Sequence, residues 1–117
     1  MEWKSLTTSE QIEQIKQDSQ QHPVVIYKHS TRCGISSMVL SRLERAWNSH
    51  EIPLVDAYFL DLIRYRDISQ LVATTFNVQH ESPQVLVINQ GTSVYDASHT
   101  MVSYPKIKEQ VVDLANS

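Results

Sequence analysis

Cys33 is the only cysteine in the chain, and it lies in the stretch KHSTRCGIS, residues 28–36. Three residues later comes Ser36, where a C-x-x-C motif would have its second cysteine. A thiolate attacks disulfides and forms mixed disulfides, but a lone thiol cannot close a bridge within its own chain. The spacing therefore predicts a redox thiol that an external thiol must regenerate. Alternatively, Cys33 is a small buried hydrophobe, as most free cysteines are, and Ser36 is an ordinary helix residue.

Cys33 lies between a predicted strand and a predicted helix. The run VVIYKHS (24–30) is rich in β-branched residues and predicts a buried strand, and helical spacing starts at Gly34 or Ile35. The free N–H groups and the dipole at a helix N-terminus stabilise an anion such as a thiolate. Thiols in such places ionise more readily than free cysteine. Three basic residues are close in sequence: Lys28, His29 and Arg32. This setting favours a reactive Cys33.

The predicted elements follow the order β-α-β-α-β-α-β-β-α. The strands are predicted at 3–6, 24–30, 52–61, 83–89 and 93–97, and the helices at 8–21, 34–49, 66–76 and 103–115. Thr7 or Thr8 is the expected N-cap of the first helix, and Ser103 that of the last. The order is that of the thioredoxin fold, an α/β fold with a central mixed sheet flanked by helices. The length of 117 residues and an apolar fraction of 41% predict a single domain over residues 1–117.

The helix after Cys33 has apolar residues at helical spacing. They are Ile35, Val39, Leu43 and Trp47, with Met38 and Ala46 beside them. We expect this face to pack inward. Trp3, Trp47 and Phe76 are expected in the core, whereas Arg64 and Arg66 are expected at a solvated helix start.

Composition excludes several classes of function. The net charge is −3 and the chain has no basic run, which argues against nucleic-acid and membrane-surface partners. The apolar runs are too short to span a membrane, and MEWKSLTTSEQ lacks the apolar segment of a signal peptide. The five histidines show no metal-site spacing, so no metal site is predicted. A lone cysteine suits a reducing compartment, and we expect a cytoplasmic protein.

Pro83, in the stretch HESPQVLVI, stands directly before a predicted central strand. A proline there is ordinarily a strand-entry residue. In the thioredoxin fold, a cis-proline at this point packs opposite the redox cysteine, and the preceding residue, here Ser82, offers its backbone to a substrate. The fold therefore predicts a cis Ser82–Pro83 bond, although trans is the commoner form of X–Pro bonds.

Four stretches together resemble the bacterial monothiol bacilliredoxins of the YtxJ-like family: KHSTRCGIS, RDIS, VQHESPQVLVI and DASH. The resemblance runs from Trp3 to the last helix. Two positions depart from the family pattern, since Tyr27 replaces phenylalanine and Gly34 replaces a frequent proline. The second change could loosen the active-site turn. The resemblance implies a thiol–disulfide oxidoreductase that removes bacillithiol from S-bacillithiolated proteins. Bacillithiol would be its co-substrate, no cofactor would be bound, and a partner thiol reductase could assist.

The resemblance also assigns roles to residues. Cys33 is the implied nucleophile, and Ser36 holds the resolving position, from which it could donate a hydrogen bond to the sulfur. Thr31, Arg32, Gly34 and Ile35 form the implied loop around the thiol. Ser82 and Pro83 shape the implied groove, in which Lys28 or His99 could pair with a carboxylate of bacillithiol; each could equally be an ordinary surface residue.

Two other functions stay open at this point. The run Cys33-Gly34-Ile35-Ser36 resembles the C-G-F-S motif of monothiol glutaredoxins, which carry an iron–sulfur cluster between two subunits. Those proteins have a Gly-Gly segment after the hairpin, and this chain has only Gly34 and Gly91. The second alternative is a binding adaptor of the same fold with an unreactive thiol.

Overall fold

The structure, a computed structural model, describes residues 1–115. This part of the chain contains five strands, four α-helices and one short 3-10 helix. In chain order they are β1 (Lys4–Ser5), α1 (Ser9–Asp18), β2 (Val24–His29), α2 (Gly34–Ala46), β3 (Asp56–Asp61), α3 (Arg66–Phe76), β4 (Gln84–Asn89), β5 (Thr92–Ser98), η1 (His99–Met101) and α4 (Tyr104–Ala115). The predicted order of strands and α-helices is confirmed, and η1 is an addition to it.

The strands form one mixed sheet in the order β1-β3-β2-β4-β5. β3 pairs parallel with β1 and β2, because helical crossovers connect these strands. β4 runs antiparallel to β2 and to β5. Consequently, the carboxyl end of β2 and the start of β4 lie at the same edge of the sheet. This edge carries both the segment that leads to Cys33 and Pro83.

Two apolar clusters cover the two faces of the sheet. Alternate residues of β2 divide between them: Val24 and Ile26 face α1 and α3, whereas Val25 and Tyr27 face α2 and α4. All of β2 is buried, as its continuous β-branched sequence predicts. This central strand therefore fixes the position at which the chain emerges toward Cys33.

Local sequence signals set the helix starts. Thr8 is the N-cap of α1 and forms a capping box with Gln11, which resolves the choice between the two threonines. Ser103 Oγ accepts a hydrogen bond from the backbone N–H of Lys106, in agreement with its predicted capping role. Helix ends are less well predicted, since α1 stops at Asp18 and α2 at Ala46. The predicted strand 52–61 is also too long, because β3 begins only at Asp56.

The predicted inward face of α2 is only partly correct. Val39 and Leu43 are buried, but Ile35 is 48% exposed and Met38 is 51% exposed. Ala46 is exposed as well, and Trp47 is half-buried after the end of the helix. The buried residues of α2 are Ser36, Val39 and Leu43, at i, i+3 and i+7, so Ile35 lies at the side of this face and Met38 on the opposite face.

No helix within residues 1–115 combines the length and the apolar character needed to cross a membrane.

Candidate active site

Cys33 is the N-cap residue of α2 and is partly exposed. Its backbone is extended, with φ −117° and ψ 116°, and its N–H donates to the Ser30 carbonyl at 3.2 Å. The side chain forms no capping hydrogen bond. As the N-cap residue, Cys33 lies at a helix end whose first N–H groups lack intrahelical partners. This is the setting in which a helix stabilises a thiolate.

Ser36 is fully buried, and its hydroxyl contacts other groups than the thiol. Ser36 Oγ accepts a hydrogen bond from the Ser30 N–H at 3.1 Å and lies 2.8 Å from His29 Nδ1. Burial lowers the pKa of His29, so the ring is neutral near pH 7 and its Nδ1 can accept the Ser36 proton. The expected hydrogen bond from Ser36 to the sulfur is absent from the contacts of residues 1–115, because the hydroxyl holds the 30–33 turn instead.

Tyr27 supports the same turn from the sheet. Its hydroxyl donates to the Ser36 carbonyl at 3.0 Å, and its ring packs among Trp3, His29 and Phe59. Phenylalanine, the residue typical of the resembled family, could not donate this bond. The tyrosine therefore adds a polar link between β2 and the first turn of α2 and leaves the thiol in place.

The Ser82–Pro83 peptide bond is cis, as the fold predicts. Gln84 pairs with Lys28 across the β2–β4 ladder, which places Pro83 beside the end of β2 and close to the turn before Cys33. The Pro83 carbonyl accepts a hydrogen bond from the His99 N–H at 2.9 Å. Ser82 Oγ is buried and has no hydrogen-bond partner in residues 1–115.

The predicted groove cations differ in their surroundings. His99 is more than half exposed, and its Nε2 lies 3.4 Å from a carboxylate oxygen of Glu81, beside Pro83. The alternative that Lys28 is an ordinary surface residue is wrong, and its pairing with a carboxylate of bacillithiol stays a prediction. Its side chain is fully buried, and Nζ donates to the Ser69 carbonyl at 3.1 Å. The cause is strand alternation: Lys28 follows Ile26 on the face covered by α1 and α3, away from α2.

The remaining loop residues surround the thiol on the solvent side. Thr31, Arg32, Gly34 and Ile35 are all exposed. Gly34 has no atom within 4 Å of the position that a Cβ would occupy, and its φ is not positive. It is the first residue of α2, a position that also accepts proline, and the looser turn stays a prediction. Of the three basic residues near Cys33 in sequence, Arg32 alone is exposed, since Lys28 and His29 are buried.

Sequence reasoning missed His80, whose Nδ1 lies 3.2 Å from Lys28 Nζ and 3.3 Å from Ser69 Oγ. It also missed the buried Gln84, which lies opposite Lys28 on β4. The period-two pattern of β2 and β4 could have placed Lys28 and Gln84 on the α3 side of the sheet, whereas His80 lies outside both strands and has no such signal. Among residues 1–115, no cluster of three or more His, Cys, Asp or Glu side chains could hold a metal ion.

Solved structures share this fold over nearly the whole chain. One is described as a putative oxidoreductase with a thioredoxin fold; it is 28% identical with a TM-score of 0.75, and the match covers 90% of this chain and 89% of that chain. Thioredoxin from Malassezia sympodialis is 17% identical with a TM-score of 0.74, covering 96% and 90%. Thioredoxin from Trypanosoma brucei brucei is 15% identical with a TM-score of 0.72, covering 99% and 93%. The last two show the fold alone.

The sequence profile of one protein family matches most of the chain. The family is described as Monothiol bacilliredoxin BrxC, and the match spans residues 4–107, which include Cys33, Ser36 and the Ser82–Pro83 bond. A family of this kind implies a redox function for the single thiol. With its thioredoxin fold and its lone cysteine at the start of α2, the chain belongs to the monothiol bacilliredoxin family.

Proposed function

We propose that this protein removes bacillithiol from S-bacillithiolated proteins through a mixed disulfide on Cys33. The observation that carries the proposal is the pairing of one partly exposed thiol at a helix N-terminus with a serine in the resolving position. Membership of the bacilliredoxin family supports bacillithiol as the small thiol. The exposed loop of Thr31, Arg32 and Ile35 leaves the sulfur open to a protein-sized substrate.

In the first step, the Cys33 thiolate attacks the bacillithiol sulfur of the mixed disulfide on the target. A new S–S bond forms between Cys33 and bacillithiol, the old S–S bond breaks, and the target cysteine leaves as a thiolate. The unpaired N–H groups at the start of α2 stabilise the attacking anion. In this proposal, Ser82 and Pro83 form one side of the groove in which the small thiol lies.

In the second step, an external thiol regenerates Cys33. A second bacillithiol thiolate attacks the bacillithiol sulfur held on Cys33, so bacillithiol disulfide forms and the Cys33 thiolate leaves. Ser36 cannot perform this step, because a hydroxyl forms no bond equivalent to a disulfide. A partner thiol protein could supply the attacking thiol in place of bacillithiol. This chemistry belongs in a reducing compartment, and we propose the cytoplasm.

The test is release of the target thiol from two matched substrates, with the uncapped target as the reference for complete release. One target protein with a single cysteine is capped with bacillithiol, with glutathione, or left free. We expect the wild-type protein to restore the target thiol fastest from the bacillithiol form, and Cys33→Ser to be inactive. A protein that releases only glutathione would contradict bacillithiol as the co-substrate. Equal inactivity of wild type and Cys33→Ser on both capped forms would contradict the oxidoreductase proposal.

A further inference from the structure

Lys28 is a fully buried ammonium group without an acidic partner. None of the ion pairs formed within residues 1–115 includes Lys28. Its ammonium group forms hydrogen bonds with the Ser69 carbonyl and His80 Nδ1. Burial lowers the pKa of Lys28 to about 8, so the group still carries a positive charge near pH 7. A buried charge is costly unless it is paired. The fold therefore maintains an uncompensated positive charge at the sheet edge that leads to Cys33.

The contact with Lys28 fixes the proton of His80. An ammonium group can only donate, so His80 Nδ1 must accept and the ring must carry its proton on Nε2. Burial, and then the charge of Lys28, lower the pKa of His80, which keeps the ring neutral. His80 is an exposed residue, and it lines a cavity. Its Nε2–H is a donor that no hydrogen bond within residues 1–115 engages.

The cavity that His80 lines has a volume of about 210 Å³. Its lining residues are Leu62, Arg66, Ser69, Gln70 and His80, and none of them is acidic. Three acidic residues adjoin the lining residues in sequence: Asp61, Asp67 and Glu81. Glu81 lies against His99, and its charge also raises the pKa of His80, in opposition to burial and Lys28. A guanidinium, a side-chain amide and an imidazole N–H in one small cavity, with a buried ammonium behind them, match the chemistry of a carboxylate.

The cavity lies at the same edge of the sheet as the thiol. The Leu62 N–H donates to the His29 carbonyl at 3.0 Å, which joins the cavity to the end of β2. His80 precedes Ser82 and Pro83 in one short segment. The cavity is on the α3 side of this segment, and Cys33 starts α2 on the other side. Residues 80–83 thus connect the cavity to the cis-proline, along which the small thiol on Cys33 is proposed to lie.

We propose that this cavity binds a carboxylate of the low-molecular-weight thiol that is exchanged at Cys33, with Arg66 as the ion-pair partner and His80 Nε2–H as a donor. The proposal rests on the proposed function for the presence of that thiol. In this proposal, Arg66 is the cation that pairs with the carboxylate, and Lys28 orients the His80 ring. Arg66 is thereby a specificity residue, whereas the sequence indicated only a solvated helix start.

The first test compares two caps on one target protein: bacillithiol, which carries carboxylates, and mercaptoethanol, which is neutral. Loss of a charge-assisted contact should reduce the preference of Arg66→Gln for the bacillithiol cap, measured as the ratio of kcat/KM values, by about tenfold. Arg64→Gln is the matched control, because Arg64 is also exposed but lines a different cavity. It should keep the wild-type ratio. An unchanged ratio in Arg66→Gln, or an equal fall in both variants, would overturn the proposal.

The second test does not depend on transfer activity. Succinate is titrated into the reduced protein, and the NMR signals of Gln70 and His80 are followed. We expect both to shift with succinate, and neither to shift with neutral succinamide or in Arg66→Gln. Absence of these shifts would overturn the cavity proposal even if bacillithiol transfer succeeds. If wild type transfers no bacillithiol, the proposed function fails, and the succinate shifts alone decide whether the cavity binds carboxylates.

Discussion

Ser36 occupies the resolving position with a hydroxyl that is already engaged. It accepts the Ser30 N–H and lies against His29 Nδ1, and all three residues are buried. Buried polar groups that lose their partners retain the cost of desolvation. The serine at this position is thus a structural link between β2 and α2, in addition to being a residue that cannot form a disulfide.

Ser36→Ala should lower the free energy of unfolding by about 1–3 kcal/mol, because it leaves the Ser30 N–H and His29 Nδ1 without their partner. Urea denaturation monitored by circular dichroism measures the change. Ser37→Ala is the control, since Ser37 is the next residue of α2 and is exposed. If the two variants differ from each other by less than about 0.5 kcal/mol, the buried link does not contribute as argued.

The first turn of α2 has a backbone that suits proline at Gly34. Gly34 follows the N-cap, its N–H is one of the free helix N–H groups, and Cys33 before it is extended, as proline requires. Gly91, in contrast, has φ +77° in the turn between β4 and β5. Only the second glycine is needed for its conformation.

Gly34→Pro should therefore raise the free energy of unfolding by about 0.4–1 kcal/mol, through the reduced entropy of the unfolded chain. Gly91→Ala should lower it by about 1 kcal/mol, because alanine is strained at positive φ. Thermal denaturation of the two variants should shift the midpoint in opposite directions. A lower midpoint for Gly34→Pro would contradict the helical start assigned to α2.

The elements themselves were largely predictable, and the reasons are local. Thr8 and Gln11 define the start of α1, and the β-branched run of β2 predicts a strand buried on both faces. Ile35 and Met38 are exposed because the buried face of α2 is centred on Ser36, Val39 and Leu43, and apolar spacing alone did not indicate that a serine belongs to that face. The position of Lys28 is a similar case. Strand alternation places Lys28 on the sheet face toward α3. Its burial follows only from the packing of α3 on that face, which the sequence of β2 does not show.

The site residues that belong to a sequence motif were predictable, whereas the contacts that depend on tertiary packing were not. Cys33 and the cis Ser82–Pro83 bond follow from the strand–helix junction and the fold. The contact between Lys28 and His80 joins residues 52 positions apart and has no signal in either segment alone. The same is true of the hydrogen bond between Ser36 Oγ and His29 Nδ1. The expectation that Ser36 faces the sulfur considered α2 alone, without the strand that packs beneath it.

At the scale of the whole molecule, Lys28 couples stability to pH. Its pKa is about 8 in the folded protein against 10.5 when exposed. Between these values the unfolded chain binds a proton that the folded protein lacks, so rising pH favours the folded state. Below pH 8 both states are protonated and the contribution is lost.

The free energy of unfolding of wild type relative to Lys28→Met should therefore rise by about 2 kcal/mol between about pH 7.5 and about pH 9.5. Urea denaturation of both proteins at a series of pH values measures the difference in their free energies of unfolding. The titration of groups that both proteins contain cancels in this difference. Lys106→Met removes an exposed lysine, and its free energy of unfolding should change with pH in parallel with that of wild type. Parallel curves for Lys28→Met would mean that Lys28 has an ordinary pKa and is not buried as described.

The central claim is that Cys33 alone carries the exchanged thiol, and intact mass spectrometry of a single turnover tests it most directly. Reduced protein is mixed with an equal amount of bacillithiol-capped target, quenched with acid, and both masses are recorded. We expect one bacillithiol on this protein, mapped to Cys33 by peptide digestion, and one freed target thiol for each adduct. A stable disulfide between Cys33 and the target protein, or a freed target with no adduct on Cys33, would contradict it.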